Sequence, residues 1–150
     1  MTERGLCVVA FALMVAACRG GHHHGPSTNT NMNSLDVEIW TRGDHGRVLR
    51  RGAGAGLSRL RFVRTVDGGG EIEVEAEVTR LDTRGNTTAC SVKVLVVRLP
   101  QHDLLGIADG SGRAGGTDDD AENDCIEQVT TTLVHSKVSL LLQRRLAAKR

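Results

Sequence analysis

At 150 residues, with 19 Lys and Arg against 18 Asp and Glu and a formal charge of +1 at pH 7, the chain has room for one domain of common size and offers no general electrostatic case for nucleic acid. One Trp, two Phe and no Tyr leave a core to be built from Val, Leu, Ile and Ala, without the aromatic platforms on which bases or sugars stack.

In chain order, Met1 to Arg4 carries Arg4 beside Glu3, and Leu6 to Ala17 is an uncharged apolar run. That is the charged start and apolar middle of a secretory signal. At about 12 residues the run is too short to cross a bilayer, which takes roughly 20 at 1.5 Å per residue. Cys7 lies inside it as a small apolar residue. The run ends in Val15-Ala16-Ala17-Cys18, which resembles the lipobox of bacterial lipoproteins: an aliphatic residue, a small residue, Gly or Ala, then Cys. The resemblance covers Met1 to Cys18 alone. It implies removal of residues 1–17, a diacylglyceryl thioether on Cys18, and palmitate-type acylation of the new N-terminus. The partner so implied is membrane lipid, held through acylated Cys18. With about 0.8 kcal/mol per buried CH₂, two or three chains fix a protein to a membrane where one does not. Arg19, where Asp would favour inner-membrane retention in that family, implies the outer membrane, with the domain in the periplasm. The residues alone also admit an ordinary signal peptide cut near Ala17, with Cys18 a spare thiol.

Arg19 to Ser34 (RGGHHHGPSTNTNMNS) has no apolar periodicity and reads as a flexible linker following the lipidated cysteine. A chain of that length and composition spans roughly 20 to 24 Å on average. His22, His23 and His24 are imidazole ligands in principle, but consecutive residues of a floppy chain form no preorganised metal site. The domain organisation expected is thus a signal peptide (1–17), a lipidated Cys with its linker (18–34), and one α+β domain (35–150).

Leu35 to Thr41 alternates in the period-two pattern of a half-buried strand, placing Trp40 on the polar side. Gly43 to Gly56, with Arg47, Arg50, Arg51 and a Gly52-x-Gly54-x-Gly56 run, reads as a mobile glycine-rich loop; it matches no nucleotide-binding motif. Leu57 to Val66 reads as a second strand. After Gly68-Gly69-Gly70, Ile72, Val74, Ala76 and Val78 alternate with Glu71, Glu73, Glu75 and Glu77, one face apolar and one wet, as in an antiparallel sheet. The glutamate row reads as a solvated surface. Asp82 to Thr88 is a turn, with Gly85-Asn86 suited to positive φ. Ala89 to Leu99 is apolar on both faces and reads as a central strand, with Cys90 pointing inward. Leu104 to Ala108 starts the strand that returns.

Gly110-x-Gly112-x-x-Gly115 matches a dinucleotide-binding fingerprint in form. That mechanism needs a further parallel strand after the helix, with an acid for the ribose, and none follows. The small residues read instead as a strand running close to a neighbour, or as a loop. Thr117 to Asp124 sets Asp118, Asp119, Asp120 and Glu122 at a helix N-terminus, with Thr117 or Asp118 as its cap. The helix runs to about Ala147, with Ala121, Cys125, Ile126, Val129, Leu133 and Leu140 as its buried stripe. Export to an oxidising compartment makes a Cys90–Cys125 disulfide the economical use of that pair.

The fold expected is α+β: a mostly antiparallel sheet of about four or five strands, with one long C-terminal helix packed on one face. For function, a lipid-anchored binding or assembly accessory module fits best, docking an envelope protein and having no cofactor and no catalytic activity. An envelope enzyme is the alternative, although Ser111 lacks nucleophile-elbow spacing and His45, His102 and His135 are isolated in sequence. A metal-binding lipoprotein using His22 to His24 is another.

Overall fold

The structure, a computed structural model, describes residues 34–150; the export segment, Cys18 and His22 to His24 lie outside the described residues. The elements in order are β1 (Leu35–Arg42), α1 (Gly46–Leu57), β2 (Val63–Thr65), β3 (Ile72–Arg84), β4 (Thr87–Arg98) and β5 (Asp103–Gly115). A long helix follows, made of α2 (Asp119–Leu133), a π-helical turn (Val134–Val138) and α3 (Ser139–Lys149). The strands form one sheet in the order β2-β1-β3-β4-β5. β1 is parallel to both β2 and β3, whereas β3, β4 and β5 are antiparallel. The α+β architecture, with the long helix on one face of the sheet, matches the expectation.

The parallel pairs exist because Gly43 to Gly56 is not a loop. Most of it is α1, which carries the chain from the end of β1 back to the start of β2. Glycines at 46, 52, 54 and 56 each cost a helix interior about 1 kcal/mol relative to Ala, which is why the segment reads as irregular. Packing overrides that cost. Leu49, Ala53 and Leu57, four residues apart, are fully buried against the sheet. On the neighbouring face Gly52 and Gly56 bring α1 against α2 so closely that a Cβ on Gly52 would lie 2.9 Å from the Glu127 carbonyl oxygen, and one on Gly56 2.8 Å from Val134 Cβ.

The strand expected over Leu57 to Val66 shrinks to Val63–Thr65. Leu57 ends α1, and Leu60 plugs the core from a turn in which its N–H donates to the Leu57 carbonyl. The link from β2 to β3 passes β1 on the side of Glu38, whose Oε1 accepts the Gly70 N–H at 2.5 Å. In β3 the alternation holds: Ile72, Val74 and Ala76 are buried, and Glu73 and Glu77 face outward. The β3–β4 hairpin closes on Gly85 and Asn86, with only Gly85 at positive φ, 60°.

β5 continues straight through the glycine-rich run. A Cβ on Gly112 would stand 2.5 Å from Val129 Cγ2, and one on Gly106 2.7 Å from Leu141 Cδ1. The small residues therefore let the long helix lie directly on this strand. Asp118 caps α2 by accepting the Ala121 N–H at 2.9 Å. Cys125 on α2 forms the disulfide with Cys90 on β4, Cα atoms 6.1 Å apart, and ties helix to sheet. The buried stripe departs from the expected one after Leu133. The wider π-helical turn shifts the register, so that Val138, Leu142 and Leu146 point inward and Leu140 is 54% exposed.

Candidate functional site

Among the described residues the helices pack on one face of the sheet and none covers the other. Alternation along each strand decides which side chains stand there. The register aligns them in rows: Glu38, Glu73, Val97 and Leu104; then Trp40, Glu75, Leu95 and Ile107; then Arg42, Glu77, Lys93 and Asp109. The face is thus divided. Along β1 and β3 it is polar and partly paired, and along β4 and β5 its first two rows are apolar.

Two cross-strand ion pairs neutralise part of the polar half, and Glu38 and Glu73 make no ion pair among the described residues. Arg42 Nε pairs with Glu75 Oε1, and Lys93 Nζ lies 2.8 Å from Glu77 Oε1. The hydrogen bond that Lys93 donates to the Glu77 carboxylate, reinforced by that charge, holds the Lys93 pKa above its ordinary value and keeps the ammonium charged. The glutamate row departs from the solvated surface expected, because Glu75 is buried beneath its ion pair with Arg42 while Glu73 and Glu77 stay half-exposed; among the described residues no cluster of three His, Cys, Asp or Glu side chains is placed to hold a metal ion.

The apolar half is less covered. Leu104 is 55% exposed, Ile107 52% and Trp40 57%, whereas Val97 between the strands is nearly buried. Leu104 and Ile107 share β5, the outer strand of the sheet, with a bulge between Val96 and Val97 that sets Leu104 opposite Val97. A solvent-facing outer strand that carries exposed Leu and Ile is the kind of surface that buries against another molecule, and Trp40 stands exposed three strands away on β1. One point of its edge is capped, because Lys137 Nζ donates to the Asp109 carbonyl at 2.6 Å.

Trp40 on the polar side and the inward Cys90 lie where the sequence places them. His45, His102 and His135 fall on the β1–α1 link, the β4–β5 turn and the π-helical turn, and are not brought together. A shallow hollow of about 630 Å³ sits over the β3–β4 hairpin, lined by Arg80, Asp82, Arg84, Ser111 and Arg113. Its Arg80 and Arg84 are both paired to Asp82, at 3.2 and 3.0 Å. Sequence reading missed the apolar patch, because Leu104 and Ile107 alternate only once the bulge has shifted the strand by a residue. Among the described residues no helix is long and apolar enough to cross a membrane.

No family model matches the chain, and no curated protein matches it in sequence. Solved structures do share its fold. A candidate lipoprotein from Caulobacter crescentus superposes with a TM-score of 0.51 at 19% identity, over 76% of this chain and 92% of that one. A protein from Xanthomonas campestris gives 0.54 at 10% identity, over 83% and 94%. The PelC dodecamer from Paraburkholderia phytofirmans gives 0.50 at 13% identity, over 71% and 88%. At these identities the similarity is one of fold.

Proposed function

We propose that the chain is a lipid-anchored, non-catalytic assembly module of the bacterial envelope, fixed to the outer membrane through acylated Cys18, whose open sheet face meets further copies of the same chain in the periplasm. The observation that carries this reading is the exposed apolar strip of Leu104 and Ile107 on the outer strand of the open face. Two features of the comparisons support it. One protein of this fold is described as a candidate lipoprotein, and another assembles as a dodecamer. A surface of this kind works by burial, at about 25 cal/mol per Å² of apolar area removed from water, and needs no reactive group.

A photo-crosslinking residue at Ile107, activated in intact cells, tests the reading. The expected product is a ladder at multiples of the chain's mass, reduced by Leu104→Asp and absent when the probe sits at Arg47 on the exposed side of α1. A monomer alone at Ile107, or an equal ladder from Arg47, would overturn it.

A further inference from the structure

We infer that the end of the domain from which the linker leaves is a docking surface for an anionic phospholipid bilayer. This rests on the proposed attachment at Cys18 and adds to it an orientation. The linker joins the fold at Leu35, whose N–H donates to the Phe62 carbonyl at 2.8 Å, so the turn carrying Arg59 and Arg61 stands beside the linker's exit. The far end of α3 reaches the same place. Lys149 Nζ lies 2.8 Å from Glu71 Oε1, and the Glu71 N–H donates to the Asp36 carbonyl next to Leu35. Three separate segments therefore converge on one end of the sheet.

Charge at that end is not balanced. Several of its acids are taken: Asp36 by Arg64, Glu71 by Lys149 and Asp103 by Arg98. Arg59, Arg61, Arg144 and Arg150 are exposed and make no ion pair among the described residues, and the acids left over nearby are Asp67 and, on the open face, Glu38 and Glu73, fewer than the free bases. The opposite end of the domain starts α2 with Asp118, Asp119, Asp120, Glu122 and Asp124 but also carries Arg80, Arg84 and Arg113. Its charges are mixed, and the excess of free cations lies where the linker leaves.

Linker length makes that excess useful. Cys18 precedes Leu35 by only 17 residues in the sequence, so acylation there keeps this end of the domain near the headgroups, contact becomes effectively intramolecular and weak attractions suffice. The attraction acts within a Debye length of about 8 Å at physiological salt. The strands then stand away from the bilayer, and the open face with its β5 edge looks sideways, toward neighbours anchored in the same leaflet.

The test uses the full chain bearing Cys18→Ser, so that no acyl chain contributes, and sedimentation with vesicles of phosphatidylcholine alone or mixed with phosphatidylglycerol. Binding to phosphatidylcholine measures the part owed to the apolar leader. Each basic residue near an anionic surface contributes about fivefold in partitioning, so Arg59→Glu/Arg61→Glu/Arg144→Glu lowers the phosphatidylglycerol-dependent part by roughly a hundredfold. Arg80→Glu/Arg84→Glu/Arg113→Glu, with the same change in net charge at the other end, leaves it within a few fold. Circular dichroism confirms that both variants fold, and Arg59→Gln/Arg61→Gln serves if the reversal does not. Equal losses in the two variants, or none in the first, overturn the inference. Because no acyl chain is present, the result stands apart from whether wild-type Cys18 is lipidated, which palmitate labelling reads separately.

Discussion

Alanine placed at three glycines of α1 has unequal effects within one helix. At Gly54 an added methyl meets only Ile39 Cδ1, at 3.8 Å, an ordinary contact. The substitution then keeps the full difference in helix propensity and stabilises the fold by about 1 kcal/mol. At Gly52 the same methyl would lie 2.9 Å from the Glu127 carbonyl oxygen and 2.9 Å from Thr130 Cβ. Neither is the free end of a flexible side chain, so α1 and α2 must separate by several tenths of an ångström. That separation strains the hydrogen bond from Thr131 Oγ1 to the Gly52 carbonyl, now 3.1 Å. Overpacking of this kind costs about 1 to 3 kcal/mol, which offsets or outweighs the propensity gain and leaves Gly52→Ala destabilised by about 0 to 2 kcal/mol. Gly56→Ala, 2.8 Å from Val134 Cβ and 3.0 Å from the Thr131 carbonyl oxygen, follows Gly52. Urea denaturation reads all three as shifts in midpoint at constant slope. A gap of about 1 to 3 kcal/mol between Gly54→Ala and the other two is the expected result. Equal shifts of one sign in all three would refute the close crossing of α1 and α2.

Further substitutions test the rest of the fold. Replacing Cys90 and Cys125 together by Ser frees a 35-residue separation and lowers stability by about 4 kcal/mol, read by thermal melting; a melt that reductant leaves unchanged would contradict the bridge. Leu142→Ala costs about 2 to 5 kcal/mol while Leu140→Ala stays within about 0.5 kcal/mol, and the reverse order would show that no π-helical turn resets the stripe. The hydrogen bond from Arg64 holds the Asp36 carboxyl below its ordinary value, with Lys149 adding to the effect. Its contribution is therefore present above the unfolded-state pKa and lost as pH falls through the lower folded value. Asp36→Asn flattens that part of the acid limb of a stability–pH curve, and an unaltered limb would show that the pair contributes nothing.

What the sequence made legible was whatever one strand or one helix turn encodes by itself. The Ile72 to Val78 alternation, the two-sided apolar run around Val92 to Val96 and the Asp118 cap each carry their signal within a few residues. Cys90 and Cys125 became a pair because an oxidising compartment leaves them the economical bridge, and the inward strand face of one and the helix stripe of the other agree with it. Three features stayed hidden because they depend on distant partners. α1 is helical against its own glycine content, since only α2 makes Gly52 and Gly56 favourable there. The π-helical turn leaves no local signature in Val134 to Val138, and it moves the stripe from Leu140 to Leu142. The candidate surface needs both a bulge at Val96 and Val97 and the pairing of strands before Leu104, Ile107 and Trp40 can be seen to share a face. The convergence of Arg59 and Arg61 with the end of α3 near the start of β1 is likewise a property of the topology.

Attachment at Cys18 is the claim on which the function rests, and metabolic labelling with radioactive palmitate reads it directly. The account predicts label in the wild-type chain, none in Cys18→Ser, and a shift of that variant from the membrane to the soluble envelope fraction. A wild-type chain that takes up no label, and fractionates as the serine variant does, would contradict it.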